Sequence, residues 1–466
     1  MEKAPSPVLP TVGPFISKAT PSKRKSTVKG GLLAATGILS LLALSRVPQL
    51  GVPEKIQRHW GQYSPYFPVG EYAQPPPGCV IDQVNILQRH GARYPNDDDD
   101  YYKAVRRLQG AKQLKGDLKF LKDYEYTLGV DDLLAFGALQ SYEAGELAHM
   151  RYSQLLTNGL PFVRASGMQR VVDTAGNWSL GFMHSNFALS SPRGEPDSPL
   201  PIQIISEERN DTLNNDCPNA PNQDYYTDQW LHRFAPPIIK KLQKMAKGAH
   251  LEDEDVKRLL DLCIFETIAN APKSAFCDLF EYQEWKDWEY WGDVEKYYKT
   301  GYGDPLGPVQ GVGYINELLA RLTGTPVADR TTHDAALPFP LDRALYADFT
   351  HENLMVAVYG AMGLFDVSKH LDPTRLPPDE DREWFAGRMV PFSARMVVER
   401  LSCGGGDGGG GALVRIFVND ALQPLEFCND GDEDLAELGL CTLASFVASQ
   451  GYARRSGDGD FEKCYE

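Results

Sequence analysis

Arg89-His90-Gly91-Ala92-Arg93 sets an imidazole between two guanidiniums at positions i and i+4. Guanidiniums grip phosphate through paired, fork-like hydrogen bonds, and an imidazole can attack phosphorus to give a phosphohistidine that water then hydrolyses. Glycine after the histidine permits a tight turn and close approach of the backbone to a ligand. The run before the cluster, Val80 to Leu87 (VIDQVNIL), is β-branched and apolar and reads as a strand. The cluster therefore lies at a strand end. Arg58-His59 repeats the dipeptide without the glycine, the second arginine or the strand, and reads as structural.

Two more strand-like runs end in groups that suit the same chemistry. Pro161 to Ser166 (PFVRAS) carries Arg164 as a third phosphate donor, and Arg343 to Thr350 (RALYADFT) ends at His351-Glu352-Asn353. A carboxyl such as Glu352 can protonate a leaving alkoxide, and His351 adds a hydrogen-bond donor. Thr332-His333-Asp334 lies in a Pro-rich loop with no strand before it and reads as structural.

Strand, polar loop and helix thus recur three times, which predicts an α/β fold with helices on the faces of a sheet. Ligands of such sheets bind beyond the carboxyl ends of the strands, where helix N-termini favour anions. The intervening patterns are mostly helical and predict an inserted, smaller α subdomain over about 97–158 and 211–299. The α/β part then takes about 47–96, 159–210 and 300–466. Within it the C-terminal third returns to strands (ARMVVERLSC, ALVRIFVND, LQPLEF), with Gly404 to Gly411 (GGGDGGGG) as a flexible hairpin loop.

Composition narrows the setting. With 47 basic and 63 acidic residues in 466, the formal charge of −16 argues against nucleic acid, which demands a basic surface. Any anion must be drawn by a local cluster. Residues 1–46 read as a leader: Lys23, Arg24, Lys25 and Lys29 precede an uncharged apolar run, Gly30 to Ser45. The run suits a secretory signal, with an uncleaved anchor as the alternative that would tie the protein to a membrane. Either way the remainder is extracytoplasmic, where the eight cysteines, none in a C-x-x-C pair, are expected as disulfides whose spacing leaves the pairing open. Two glycosylation acceptors, Asn177-Trp178-Ser179 and Asn210-Asp211-Thr212, agree with that setting.

Taken together these pieces resemble the histidine acid phosphatases and, among them, the fungal phytases. The heptapeptide Arg89 to Pro95 (RHGARYP) stands intact, joined by WGQYSPYFPV, DDLLAFGALQ, FVRASGMQRV, AFCDLF, DPLGPVQGVGYINELLARLTGTPV, LYADFTHEN and VRIFVND from Trp60 onward. The resemblance implies the histidine phosphatase (phosphoglycerate mutase-like) sheet with helices on both faces, a smaller inserted all-α domain, and an active site between them. It implies a secreted monomer that acts on a small phosphate ester, phytate (myo-inositol hexakisphosphate) first, with no metal or cofactor. By position His90 is the nucleophile and Glu352 the proton donor. Arg89, Arg93, Arg164, His351 and Asn353 hold the phosphate, and Lys296 is a peripheral substrate contact. The same resemblance pairs Cys79 with Cys403, Cys217 with Cys464, Cys263 with Cys277, and Cys428 with Cys441.

Three departures accompany it. Glu352 replaces the family's usual aspartate, Glu295 replaces one of two lysines, and Asp97 to Asp100 stand where lysines usually follow the heptapeptide. They keep two alternatives open: a broad acid phosphatase with weak phytate preference, and a catalytically impaired phosphate-binding protein.

Overall fold

Side-chain alternation along the strands divides the interior in two. In β1 (Cys79–Arg89), Val84 and Ile86 enter one apolar cluster and Leu87 the other, as the two-residue period of a pleated strand requires. The structure is a computed structural model that describes residues 48–466 except 98, 191–199, 209–210, 376–377, 379–380, 405–410 and 429–431. The leader expected over 1–46 lies outside the described residues.

Apart from a separate two-stranded ribbon of Gln113–Leu114 and Ala246–Lys247, the other strands are β2 (Phe162–Ser166), β3 (Ile202–Ile205), β4 (Leu345–Thr350), β5 (Arg395–Cys403), β6 (Ala412–Val418), β7 (Ala421–Leu422) and β8 (Cys441–Thr442). They form an eight-stranded sheet in the order β8-β6-β5-β1-β4-β2-β3, with β7 on β6. The pairs β1–β4, β4–β2 and β2–β3 are parallel, while β1–β5, β5–β6 and β6–β8 are antiparallel. The parallel half brings the carboxyl ends of β1, β4 and β2 to one edge.

The longer helices are α1 (Asp99–Gln109), α2 (Ala135–Tyr152), α3 (Gln169–Ser190), α4 (Asp224–Met245), α5 (Asp253–Asn270), α6 (Tyr282–Lys299), α7 (Val312–Thr323) and α8 (Glu352–Met362). One face of the sheet is covered by α2 and α3, whose Ala144, Ala148, Trp178 and Phe182 meet Val84, Ile86, Val163 and Phe349. On the other, Leu318 and Leu322 of α7 and Leu354 and Val358 of α8 meet Leu87, Met396, Val398 and Ile416. The helical insertion is built from α4, α5 and α6 with α1 against α5. Capping boxes, Glu252 with Asp255 and Glu281 with Glu284, start α5 and α6 by satisfying otherwise unpaired N–H groups.

The insertion expected over 97–158 divides in the structure. Its first part, α1, packs on α5, but α2 lies along α3 on the sheet. Small residues make that contact: a Cβ on Gly145 would come 2.0 Å from the Trp178 carbonyl oxygen. Strand β3 was missed in the sequence, and of LQPLEF only Leu422 joins a strand. Residues 405–410 of the expected glycine loop lie outside the described residues; their flanks join β5 to β6.

All four disulfides that the resemblance implied are present: Cys79–Cys403, Cys217–Cys464, Cys263–Cys277 and Cys428–Cys441. Among the described residues no helix is long and apolar enough to cross a membrane. Asn177 sits within α3 with its Nδ2 donating to the Asp173 carbonyl at 2.8 Å, and the hydroxyl-bearing Ser179 is fully buried. A glycan at Asn177 would therefore have to be attached before α3 closes over Ser179. Asn210 lies outside the described residues.

Candidate active site

Each functional side chain is delivered by a strand end or by the first turn of the following helix. Arg89 closes β1 opposite Thr350, the last residue of β4. The His90 N–H donates to the Thr350 carbonyl at 2.9 Å, which places His90 beside His351 with ring centroids 5.5 Å apart. His351 caps α8, so Glu352 and Asn353 fall in its first turn. The next residue of the heptapeptide, Gly91, passes against α2 so tightly that an added Cβ would meet the Gly137 carbonyl oxygen at 2.5 Å. Its N–H donates to the Thr174 hydroxyl of α3 at 3.0 Å.

His90 is buried and its tautomer is set by a partner that can only accept. Nδ1 lies 2.8 Å from the Gly91 carbonyl oxygen and so carries the hydrogen. Nε2 is left with its lone pair and with no hydrogen-bond partner. Burial holds His90 well below the ordinary imidazole range; nearby Glu352 opposes this, and the charges of Arg89 and Arg170 add to it. A neutral imidazole with a bare Nε2 is the reactive form of this nucleophile.

Around it stand buried guanidiniums with donors to spare. Arg89 Nη1 donates to the carbonyls of Gln62 and Val390. Arg93 Nη1 donates to the Tyr94 carbonyl at 2.7 Å. Yet the Nε groups of Arg89, Arg93 and Arg170 are buried without a hydrogen-bond partner. Arg258, Arg321 and Arg395 each leave one such group elsewhere, but here three converge on one site, where an anion would receive them.

The sequence points to Arg164 as the third arginine, but the structure brings Arg170 to this edge instead. The register makes the correction: Arg164 pairs with Asp348, as does Leu87, two residues before Arg89. Arg164 is thus sunk about 6.5 Å below the strand end. Its Nε and Nη2 each lie 2.7 Å from a buried carboxylate, Asp348 and Glu317. Two of its three nitrogens are thus turned onto carboxylates below the edge. Arg170, six residues on, opens α3 and points to the strand ends. Its electrostatic neighbours are Arg93, Asp131, Glu352 and Arg89, and burial followed by Arg93 pushes it down to about 10. The available signal was the turn at Gly167, after which an arginine in a helix's first turn faces the carboxyl edge.

Glu352 Oε2 lies 3.0 Å from Arg89 Nη2 and 3.7 Å from His90 Nε2. Burial alone would raise this carboxyl, but Arg89 and Lys296 overcome it and hold it well below the usual carboxylate range. Lys296, expected at the pocket's periphery, is instead buried, with Nζ 2.9 Å from Asn353 Oδ1, 3.0 Å from Glu295 and 3.5 Å from Glu352 Oε1. His351 Nε2 is 2.9 Å from Glu207 Oε1, which leaves Nδ1 for a ligand. The bond to His351 is the largest influence on Glu207 and holds it at about 2.

The acidic run points elsewhere. Asp99 and Asp100 open α1, where the helix dipole favours them, and Asp100 pairs with Lys103 and Arg258. Asp97 is exposed, and Asp98 lies outside the described residues. His59 bonds Glu289 and Tyr282, and His333 bonds Glu317, so both are held structurally.

A sheet edge that offers one bare imidazole to a ring of under-bonded guanidiniums is the arrangement of a phosphoryl-transfer site. The chain belongs to the histidine phosphatase superfamily (branch 2), whose family model matches residues 80–419. It is a phosphoric monoester hydrolase, similar to Phytase A of Arthroderma benhamiae (38% identical over 86% of this chain and 91% of that protein) and Phytase A of Aspergillus oryzae (37%, over 87% and 90%). Among solved structures the phytase from D. castellii matches with a TM-score of 0.70 at 22% identity, covering 88% of this chain and 87% of its own. The multiple inositol polyphosphate phosphatase of Bifidobacterium longum, in complex with inositol hexasulfate, matches with a TM-score of 0.62 at 15% identity over 85% and 98%. At these identities the two structures support the fold.

Proposed function

We propose that this protein hydrolyses inositol phosphates, phytate foremost, at acidic pH outside the cell, through a phosphohistidine at His90. The observation that carries the reading is the bare Nε2 of His90 beside unpartnered Nε groups of Arg89, Arg93 and Arg170. The Phytase A relatives support the substrate, and the four disulfides suit an oxidising compartment.

In this reading the three arginines and His351 hold the phosphoryl oxygens in line with Nε2. The negative charge that enters with substrate offsets the field of Arg89 and Lys296 at Glu352, and the carboxyl then keeps a proton in acid. Nε2 attacks phosphorus, the ester P–O bond breaks, and the leaving alkoxide takes the proton from Glu352. The resulting carboxylate accepts a proton from water as that water attacks the phosphohistidine, which returns orthophosphate and neutral His90. Arg170, not Arg164, is the third phosphate-binding arginine.

Phosphate release from phytate and from an aryl phosphate, followed between about pH 2.5 and 7 with the protein and its His90→Ala variant, tests the reading. Phytate hydrolysis is expected from the first and a loss of about 10⁴-fold or more in the second. Equal release by both would end the enzyme reading. Aryl ester cleavage without phytate cleavage would leave a broad acid phosphatase.

A further inference from the structure

We propose that in the free protein the Glu352 carboxylate stands in for phosphate, and that a phosphoryl group reaches His90 only by displacing it from Arg89. This rests on the phosphohydrolase reading above and adds a competitor built into the same site.

The geometry carries it. A transferring phosphoryl group must meet the Arg89 guanidinium and lie within reach of His90 Nε2. One carboxylate oxygen of Glu352 already does both, at 3.0 Å and 3.7 Å. The other oxygen faces Lys296 Nζ at 3.5 Å, on the far wall of the site. Lys296 is itself fixed by Asn353 and Glu295, so the carboxylate is strung between α6 and the end of β1. Glutamate carries its carboxyl about 1.5 Å further than aspartate would, and here that length is spent in reaching Arg89. Its place in the first turn of α8 also favours a negative charge.

The charges around it act in one direction with one exception. Arg89 faces it from the end of β1 beside the neutral His90, and Arg170 lies near it from α3. From α6 come Lys296 and, further off, Lys299, while Glu295 on the same helix opposes them. Tyr63 faces it from the N-terminal segment and stays protonated through acid and neutral pH. The carboxylate is therefore ionised at moderately acid pH in the free protein and competes with the incoming anion.

Protonation removes the competitor, so affinity for an anion is linked to proton uptake. Below the depressed value of Glu352 in the free protein, binding does not depend on its titration. Above it, each bound anion draws a proton onto the carboxyl and affinity falls as pH rises. The fall ends when pH passes the higher value that the carboxyl has in the complex.

The test is equilibrium binding of inorganic phosphate, a monoanion between about pH 3.5 and 5.5. Calorimetry at constant ionic strength compares the full chain with Glu352→Gln, Glu352→Asp and Glu295→Gln. The expected result is affinity that falls with pH in the parent chain, with proton uptake. Glu352→Gln should bind about tenfold tighter at pH 5.5, with a flat profile. Glu352→Asp should lie between the two and keeps the test alive if the amide variant fails to fold. Glu295→Gln removes an equal charge that does not touch Arg89, and a gain matching that of Glu352→Gln would reduce the effect to a general field and overturn the displacement. So would a parent chain that binds phosphate while neither Glu352 variant gains. A parent chain that binds no phosphate at any pH would instead overturn the phosphohydrolase reading, and this inference with it.

Discussion

Two buried arginine clusters lie on the same sheet, one at its carboxyl edge and one about two residues deeper. In the deeper one, Arg164 and Arg321 share Asp348, Arg164 also bonds Glu317, and Glu317 takes further bonds from Thr212 and His333. Asp348 is held down at about 2 by these arginines against the effect of burial. At the edge, Arg89, Arg93 and Arg170 have a single close carboxylate between them besides the loop residue Asp131, and all three Nε groups go unbonded, against one, that of Arg321, in the deeper cluster. Burial of arginine is common to both clusters. What separates a structural cluster from a binding one is whether the donors are already matched by the protein's own carboxylates.

Substitutions can break this contrast. Arg164→Met should leave Asp348 and Glu317 under-paired in the interior and cost about 3–5 kcal/mol of stability, read from denaturant unfolding. The kcat/KM of the folded fraction should stay within about threefold of the parent, since the guanidinium touches no substrate. Arg170→Met should do the reverse, lowering kcat/KM by about 10²–10³-fold with little change in unfolding midpoint. If both substitutions cost stability alone, the edge cluster is no more a binding site than the deeper one.

A third prediction concerns pH and the support behind the edge. Asp211 accepts from the Ser166 hydroxyl, which also bonds Glu207, the partner of His351. Burial raises Asp211 to about 6. A carboxyl raised in the folded state binds its proton more tightly there than in the unfolded chain. Stability from this group is thus full below about pH 4 and is lost as pH rises to about 6, a difference of up to roughly 3 kcal/mol. Asp211→Asn should match the parent near pH 3.5 and exceed it at pH 7 in thermal unfolding. The smallest effect belongs to the acidic run: Asp100→Asn should cost no more than about 0.5 kcal/mol and leave KM for phytate unchanged, because the side chain faces Arg258 of α5.

The sequence and the structure agree most where chemistry is local. The heptapeptide, the three parallel strands and the His351-Glu352-Asn353 turn were legible because each is a short run whose residue types already state a geometry. The third arginine was not, because strand register is a long-range property. Arg164 and Arg170 lie six residues apart, and only the pairing of Arg164 with Asp348 shows which is submerged. An aspartate inside the apolar run LYADFT was the overlooked hint, since a buried carboxylate needs a cation. The inward turn of Lys296 was hidden for a similar reason, as its partners come from α8. Helix α2 was assigned to the wrong layer because a sequence pattern identifies an apolar face without saying which core it covers.

The disulfides also have a topological consequence. Cys79–Cys403 closes a ring between residues 324 apart in the sequence, and Cys217–Cys464 closes another, between residues 247 apart, that overlaps it. Every peptide bond from Cys79 to Cys464 thus lies inside at least one covalent ring. A protease that nicks the chain once anywhere in that span cuts it without releasing a fragment. Such a molecule keeps its full mass until it is reduced, so that a single clip converts a linear chain into branched pieces still tethered around the same catalytic edge.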